Sequence, residues 1–312
     1  MERSFSHPLP IDTVRELSRP RAWIAVGSTI VTWALIVGAA WLTSRHFHPL
    51  LYLVTVMWIG NQQHSLLIQM HDSAHRRLSA NKVLNDVFGE LLCAWPMFFR
   101  MAAYRENHTL HHRFPNTPMD PDFRPGRFPT NGRQIAKMLL GDVTALNTVE
   151  QLGELKRLKK PTTLRNKLLR LCYYAALAAL LTHFGLWKIY LLYWIVPLFT
   201  WLKVVLRMRA IADHAGVETH AHPFDTRTII PNWFDRAFLA PRNCSYHLGH
   251  HLYQSVPWYN LKRLHRELMK DPEFEKRAPI TRGFWRLFLE FPWRDPSESV
   301  PRVATATNAA NL

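Results

Sequence analysis

The amino-acid sequence predicts an all-α integral membrane protein: four transmembrane helices and a cytoplasmic helical cap that carries a histidine-rich site for two metal ions. Three observations predict it. Long apolar stretches are segregated from the charged residues, although the mean hydropathy of the chain is close to zero. Nine histidines fall in four tight packets. The basic residues gather beside one end of the apolar stretches, as they do on the cytoplasmic side of membrane proteins.

Taken in order, Met1 to Pro20 is polar, charged and proline-rich, unlike a secretory signal. Thr13 with Glu16 predicts a capping box for a short amphipathic helix. A helix needs about 20 predominantly apolar residues to cross a bilayer. That criterion predicts spans at about residues 22–43 and 49–70, the second turning polar at Asn61-Gln-Gln-His64. It also predicts spans at about 168–184 and 187–207, with a turn between His183 and Trp187. Val83 to Phe99 is apolar but broken by Asn85, Asp86, Glu90 and Pro96, so it is expected along or re-entering the membrane surface. Pro115 to Pro129 reads as a turn-rich loop and Lys156 to Thr163 as a basic connector. Pro231 to Trp285 reads as cytoplasmic helices. One domain is expected over 1–299, with a disordered tail over 300–312.

Thirty-nine Lys and Arg against 23 Asp and Glu give a net charge of +16. Nucleic acid is not the expected partner, because no recognised binding module or stacking platform accompanies that charge. Basic residues crowd the segments 76–169 and beyond Arg207, whereas Ser44 to Pro49 holds only Arg45. This asymmetry predicts both termini and the long loop in the cytoplasm. Cys93, Cys172 and Cys244 show no paired spacing, so no disulfide framework is expected.

The packets are His71-Asp-Ser-Ala-His75, His108-Thr-Leu-His111-His112, Asp213-His214 and His247-Leu-Gly-His250-His251. Residues three and four apart share a helix face, and neutral imidazole ligates iron, zinc, copper and nickel. Three or four histidines fill one site, so nine suit two ions. In His-x-x-His-His the two adjacent rings lie roughly 100° apart, so each can serve a different metal. With four spans, all four packets fall on one side of the membrane. Asp72, Asp120, Asp122, Asp213 and Asn243 are candidates for orienting the ligand rings through their free nitrogens. For Asp120 and Asp122, turn chemistry is the competing explanation. His7, His46, His48, His183 and His265 read as ordinary surface or core residues, and so do His64, His220 and His222. Two histidine-held irons supplied with electrons can activate O2 and remove hydrogen from an unactivated C–H bond, chemistry beyond side chains alone. A zinc-holding membrane protein without redox chemistry is the alternative from another class.

The three spaced packets look like the three histidine boxes of the membrane fatty acid desaturase family. The segment Tyr246 to Leu268, the run Arg209 to Gly216 and the Asp120-Pro-Asp122 after the second box are similar to bacterial members, and the resemblance covers roughly residues 50–270. It implies two iron ions as cofactor, O2 as co-substrate, and His71, His75, His108, His111, His112, His214, His247, His250 and His251 as ligands. It also implies a hydrophobic acyl substrate, lipid- or thioester-linked, taken from the membrane. A separate electron donor such as a ferredoxin or cytochrome b5-like protein is expected, and so is the bacterial inner membrane. Where the stearoyl-CoA branch places an asparagine this chain has Ala210, and where bacterial relatives often carry glutamate it has Gly249. A hydroxylase or carotenoid ketolase shares the boxes and is the alternative outcome. Trp95, Phe98, Phe99, Trp233 and Trp258 are candidate tunnel residues, with packing or interfacial anchoring as the competing role.

Overall fold

The computed structural model describes residues 9–122, 128–148, 162–217 and 224–291. The expected tail at 300–312, most of the basic connector after Lys156, His7, His220 and His222 lie outside the described residues. Among the described residues the architecture is helical, as expected, apart from one two-stranded parallel ladder. Its strands are β1 (Thr228–Ile230) and β2 (Ile280–Arg282), with Ile229 opposite Thr281.

Four long helices form the trunk: α2 (Ala22–Arg45), α3 (Pro49–Ala74), α7 (Leu164–His183) and α8 (Trp187–His214). α1 (Ile11–Leu17) precedes them. Two of the four, α2 and α8, are long and apolar enough to cross a membrane. The other two are less apolar for visible reasons. α7 begins with Arg165, Lys167 and Arg170, and α3 carries a polar second half.

That polar half is structural, because α3 is the central helix and is buried from Thr55 to Ala74 apart from its half-buried Met57–Trp58 stretch. A buried amide left unpaired is costly, and three of those on α3 donate to neighbouring elements. Asn61 donates to the carbonyls of Arg236 and Ala237, at 3.1 and 2.7 Å. Gln63 donates to the Trp194 carbonyl at 2.8 Å, and Gln69 to Ala25 O at 3.0 Å. The amides therefore fix α2 and α8 against α3.

Two prolines shape the trunk further. Pro197 has no N–H for the carbonyl four residues back, and a π turn at Leu191–Ile195 lies just before it in α8. The carbonyls around that turn are taken up by α3, through the Tyr52 hydroxyl on Leu192 and Gln63 on Trp194. Pro96 follows a second π turn at Gly89–Ala94, which extends α4 (Lys82–Phe88). The Leu92 carbonyl it leaves free accepts from the Trp33 indole at 3.2 Å. The predicted surface segment 83–99 is thus a helix bent twice, with Val83, Leu84, Val87 and Leu91 exposed.

The cap is assembled from α5 (Met101–Arg113), α6 (Gly132–Val143), α9 (Trp233–Phe238), α10 (His247–Leu252), α11 (Leu261–Leu268), α12 (Pro272–Arg277) and α13 (Leu287–Glu290). The expected capping box at Thr13 is not formed. α1 starts two residues earlier, behind Pro10, and Glu16 instead pairs with Arg263 at 2.7 Å. The three cysteines are free.

Close packing of the π turn on α3 gives a test. A Cβ on Gly89 would overlap the Ser73 side chain and meet Met101 Sδ at 2.8 Å, whereas Gly27 has nothing within 4 Å. Gly89→Ala is expected to destabilise the purified protein by about 1–3 kcal/mol, seen as a lower melting temperature. Gly27→Ala is expected to leave it unchanged or slightly raised.

Candidate metal centre

Each packet reaches the centre from a different element. His71 sits in the last turn of α3, and His75 lies just past its end, its N–H still bonded to the His71 carbonyl at 3.1 Å. α5 carries His108, His111 and His112, α8 ends on His214, and α10 carries His247, His250 and His251. The short α10 is held by its flanks. Ile229 N–H bonds Ser245 O at 2.9 Å and Tyr246 N–H bonds Asn243 O at 3.1 Å, while Arg242 and Asn243 turn the chain at positive φ.

The nine rings separate into two adjoining groups. His71, His75, His108, His112 and His250 form one, and His111, His214, His247 and His251 the other; within each, the ligand atoms lie within 4.8 Å of one another. In both His-x-x-His-His packets the i,i+4 pair stays together and the middle ring serves the other group. The groups touch where His112 and His251 pack at 4.3 Å between ring centroids.

Nitrogen faces nitrogen across these groups: His108 Nε2 and His112 Nε2 at 2.9 Å, His250 Nε2 and His112 Nε2 at 3.0 Å, His214 Nε2 and His247 Nε2 at 3.2 Å. Two ligands about 2.1 Å from one ion and at right angles are about 3 Å apart, so the spacing fits a shared cation. His71 Nε2, His75 Nε2 and His251 Nε2 are buried without a hydrogen-bond partner, as ring nitrogens reserved for a metal would be. Burial favours the neutral, donating form at six of the rings. Burial pushes His75 down to about 4, aided by Arg77, and His112 down to about 2, aided by His75. Burial and neighbouring imidazoles hold His108, His247, His250 and His251 well below the ordinary range.

A carboxylate stands behind one ring of each spaced packet. Asp120 Oδ2 lies 2.9 Å from His111 Nδ1, and it also accepts from Asn116 N–H at 3.1 Å. Asp72 Oδ1 lies 3.3 Å from His71 Nδ1, and its other oxygen accepts the Trp258 N–H at 2.9 Å. Asp213 Oδ2 approaches His247 Nδ1 at 3.7 Å and is held by Arg209 Nε at 3.0 Å. A bond to the far nitrogen fixes tautomer and ring orientation. Asp122 is exposed, and its backbone N–H serves Asp120 Oδ1 at 2.8 Å. Asn243 is engaged elsewhere, with Trp258 O at 3.3 Å and Arg236 at 3.4 Å, rather than with a ligand ring.

Sequence reasoning passed over three participants. Arg209 stands four residues before Asp213, a helical ion-pair spacing that was open to reading. Tyr104, four residues before His108, stacks on its ring at 5.0 Å. The backbone N–H of Trp258 leaves no sequence signal at all. His64 lies outside both groups, 3.4 Å from Arg209 Nη1. Of the candidate tunnel aromatics, Trp95 lines a cavity, Trp258 serves Asp72, and Trp233 is exposed.

A family model described as fatty acid desaturase matches residues 46–285, which take in every histidine of the centre. The chain belongs to the fatty acid desaturase family. It is therefore an oxidoreductase. Among similar proteins, this desaturase is 30% identical over 270 residues to dihydrorhizobitoxine desaturase of Bradyrhizobium elkanii, covering 79% of this chain and 75% of that protein. It is 24% identical over 268 residues to the sn-1 oleoyl-lipid 12-desaturase of Arthrospira platensis, covering 78% and 74%. A chloroplastic omega-6 fatty acid desaturase of Brassica napus is 22% identical over 304 residues, covering 88% and 65%.

Two predictions test the geometry. Asp120→Asn removes the anionic acceptor behind His111, and metal affinity at the second group is expected to fall about 10–100-fold. Metal content after dialysis against graded chelator measures this, and wild-type retention would refute the orienting role. In the metal-stripped protein, each depressed imidazole has a folded pKa below the unfolded 6.5, so protonation favours unfolding. Its stabilising contribution is full above about pH 6.5 and drains as the pH falls toward about 4, at roughly 1.4 kcal/mol per unit for each ring. The apo-desaturase is expected to melt at lower temperature near pH 5 than near pH 7.5, with the difference suppressed by metal reloading.

Proposed function

We propose that this desaturase introduces a double bond into a fatty acyl chain, lipid- or thioester-linked, with two histidine-held irons, O2 and electrons from a separate protein. The observation that carries the reading is the pair of adjoining imidazole groups, one of five rings and one of four. Zinc fits them less well, since catalytic zinc needs only three protein ligands and leaves most of this donor set unexplained. When bound, the irons would supply the O2 activation and hydrogen abstraction that no side chain can provide. The protein's own part is to hold the nine rings together, to fix His71 and His111 through Asp72 and Asp120, to set Asp213 beside His247, and to keep the centre buried from water.

A hydrocarbon substrate is supported by an apolar cavity of about 400 Å³ between α2, α7 and α8, lined by Trp33, Ile36, Leu177, Tyr190 and Trp194. A larger, partly polar cavity of about 810 Å³ lies behind α5 with Arg100, Arg165 and Arg170 on its walls. The two share Tyr173. Desaturation is favoured over hydroxylation because all the named relatives are desaturases. A second reading, a small-molecule substrate in place of an acyl lipid, is favoured by the similarity to the enzyme named for dihydrorhizobitoxine. We place the chain in a bacterial inner membrane with α2, α3, α7 and α8 as four spans. Both termini and the metal centre then face the cytoplasm, where a ferredoxin or cytochrome b5-like donor can reach them.

Fatty acid profiles of cells expressing the protein with a ferredoxin system, compared with a His111→Ala control, test the proposal. Acyl chains two mass units lighter, absent from the control, are expected. A gain of one oxygen would replace desaturation by hydroxylation, and an unchanged profile would turn the assignment to the small-molecule reading.

A further inference from the structure

Three segments far apart in sequence end in exposed apolar side chains at one level of the trunk. Leu140 and Val143 end α6 and Leu146 follows it; Trp233 and Phe234 open α9; Trp285 precedes α13 and Leu289 lies in it. Several are among the most exposed large side chains described: Trp233 at 77%, Leu289 at 72%, Leu140 at 64% and Leu146 at 63%. Single exposed leucines are ordinary on a soluble surface, but a clustered set needs a partner.

Their level is set by contacts with α8. Thr148, two residues past Leu146, donates to Phe199 O at 3.1 Å. Asp142 holds Arg207, with one contact at 3.0 Å. The Trp201 indole donates to Phe238 O at 3.0 Å, closing α9 onto the same stretch. Phe284 N–H reaches Asp235 at 3.3 Å, and Phe284 and Leu287 pack with Val204 and Met208. All three segments are therefore moored to residues 199–208 of α8. There the apolar run of this candidate span gives way to Lys203, Arg207 and Arg209. Where an apolar helix becomes basic, a bilayer ends.

We infer that the underside of the cap, formed by the end of α6, α9 and the start of α13, is a second membrane contact that sinks into the headgroup and upper acyl layer beside α8. Its partner is lipid carrying anionic headgroups. Apolar residues enter the acyl boundary, while exposed Arg133, Lys137 and Arg286 on the same segments match the headgroup charge. Continuity with the apolar stretch of α8 argues for lipid over a second copy of the chain. The contact also accounts for the polar second half of α3. Around Asn61, α3 is covered by α9 through the Arg236 and Ala237 carbonyls, so it needs no apolar face toward lipid there.

The test is independent of metal loading and activity. Full-length protein in phosphatidylcholine–phosphatidylglycerol vesicles carries one spin label, at Leu146→Cys, Trp233→Cys or Leu289→Cys, in a Cys172→Ser background. Collision with dissolved oxygen and with a water-soluble nickel chelate reports depth. A Glu275→Cys label, exposed and outside the patch, is the aqueous reference. Nickel access severalfold below the reference, with oxygen access above it, is expected at all three positions. Nickel access equal to the reference at Trp233 and Leu289 would overturn the inference. So would spin–spin broadening that disappears on dilution with unlabelled protein, since it assigns the patch to a second copy. Three separate positions keep the test from resting on a variant that fails to fold.

Discussion

Nine imidazoles packed ring against ring, with nitrogens about 3 Å apart and several lacking any hydrogen-bond partner, form an assembly that needs a cation at its middle. Each ring nitrogen that faces another brings a lone pair or a single proton, and burial disfavours the charged form that would relieve the repulsion. The rest of the desaturase is organised around meeting that condition. α3 and α8 deliver ligands from their C-terminal ends, and α5 and α10 each serve both groups. Asp72 and Asp120 bond the far nitrogens of His71 and His111, and Asp213 stands 3.7 Å from that of His247.

The trunk meets a second constraint that conflicts with the first. A ligand-bearing helix end has to be polar, yet α3 is buried at the centre of the trunk, where a polar group left without a partner is costly. α3 resolves the conflict by being central: its amides reach carbonyls on α2, α8 and α9 in place of water. Gln63 also takes up a carbonyl in the irregular backbone before Pro197, and the Trp33 indole of α2 does the same before Pro96. The result is a buried helix whose polar side chains serve its neighbours, and it is not one of the two helices, α2 and α8, that are long and apolar enough to cross a membrane.

The sequence made the centre more legible than its surroundings, and the reason is locality. Spacings of three and four residues on short helices survive into the fold unchanged, so the nine histidines could be read before any tertiary contact was known. The starts of α2, α3 and α8 were also readable, because each follows a clear change in polarity. What escaped depends on contacts between distant segments. The Trp258 N–H on Asp72, the Trp33 indole on Leu92 and the short β ladder have no local signature. Asn243 was misplaced for the same reason, since proximity in sequence to His247 does not decide where a side chain at positive φ points. Thr13 and Glu16 show that even a local pattern fails when a distant partner, here Arg263, takes the carboxylate.

Gly249 shows how a departure from the expected family pattern is absorbed. Its Cα faces the apolar flank of α11, where an added Cβ would lie 3.4 Å from Leu264 and 3.7 Å from Leu268. At those distances an added Cβ makes ordinary van der Waals contact, so the position packs on α11. The carboxylate beside the third packet comes from another element, Asp213 on α8, which lies 3.7 Å from His247 Nδ1 while Arg209 holds it in place. Asp72 and Asp120 stand in the corresponding position for the first and second packets. With one anionic partner for each packet already supplied by α3, the turn after α5 and α8, position 249 is free to serve packing. The orienting layer of this centre is thus set by which elements surround a ring rather than by which residues flank it in sequence.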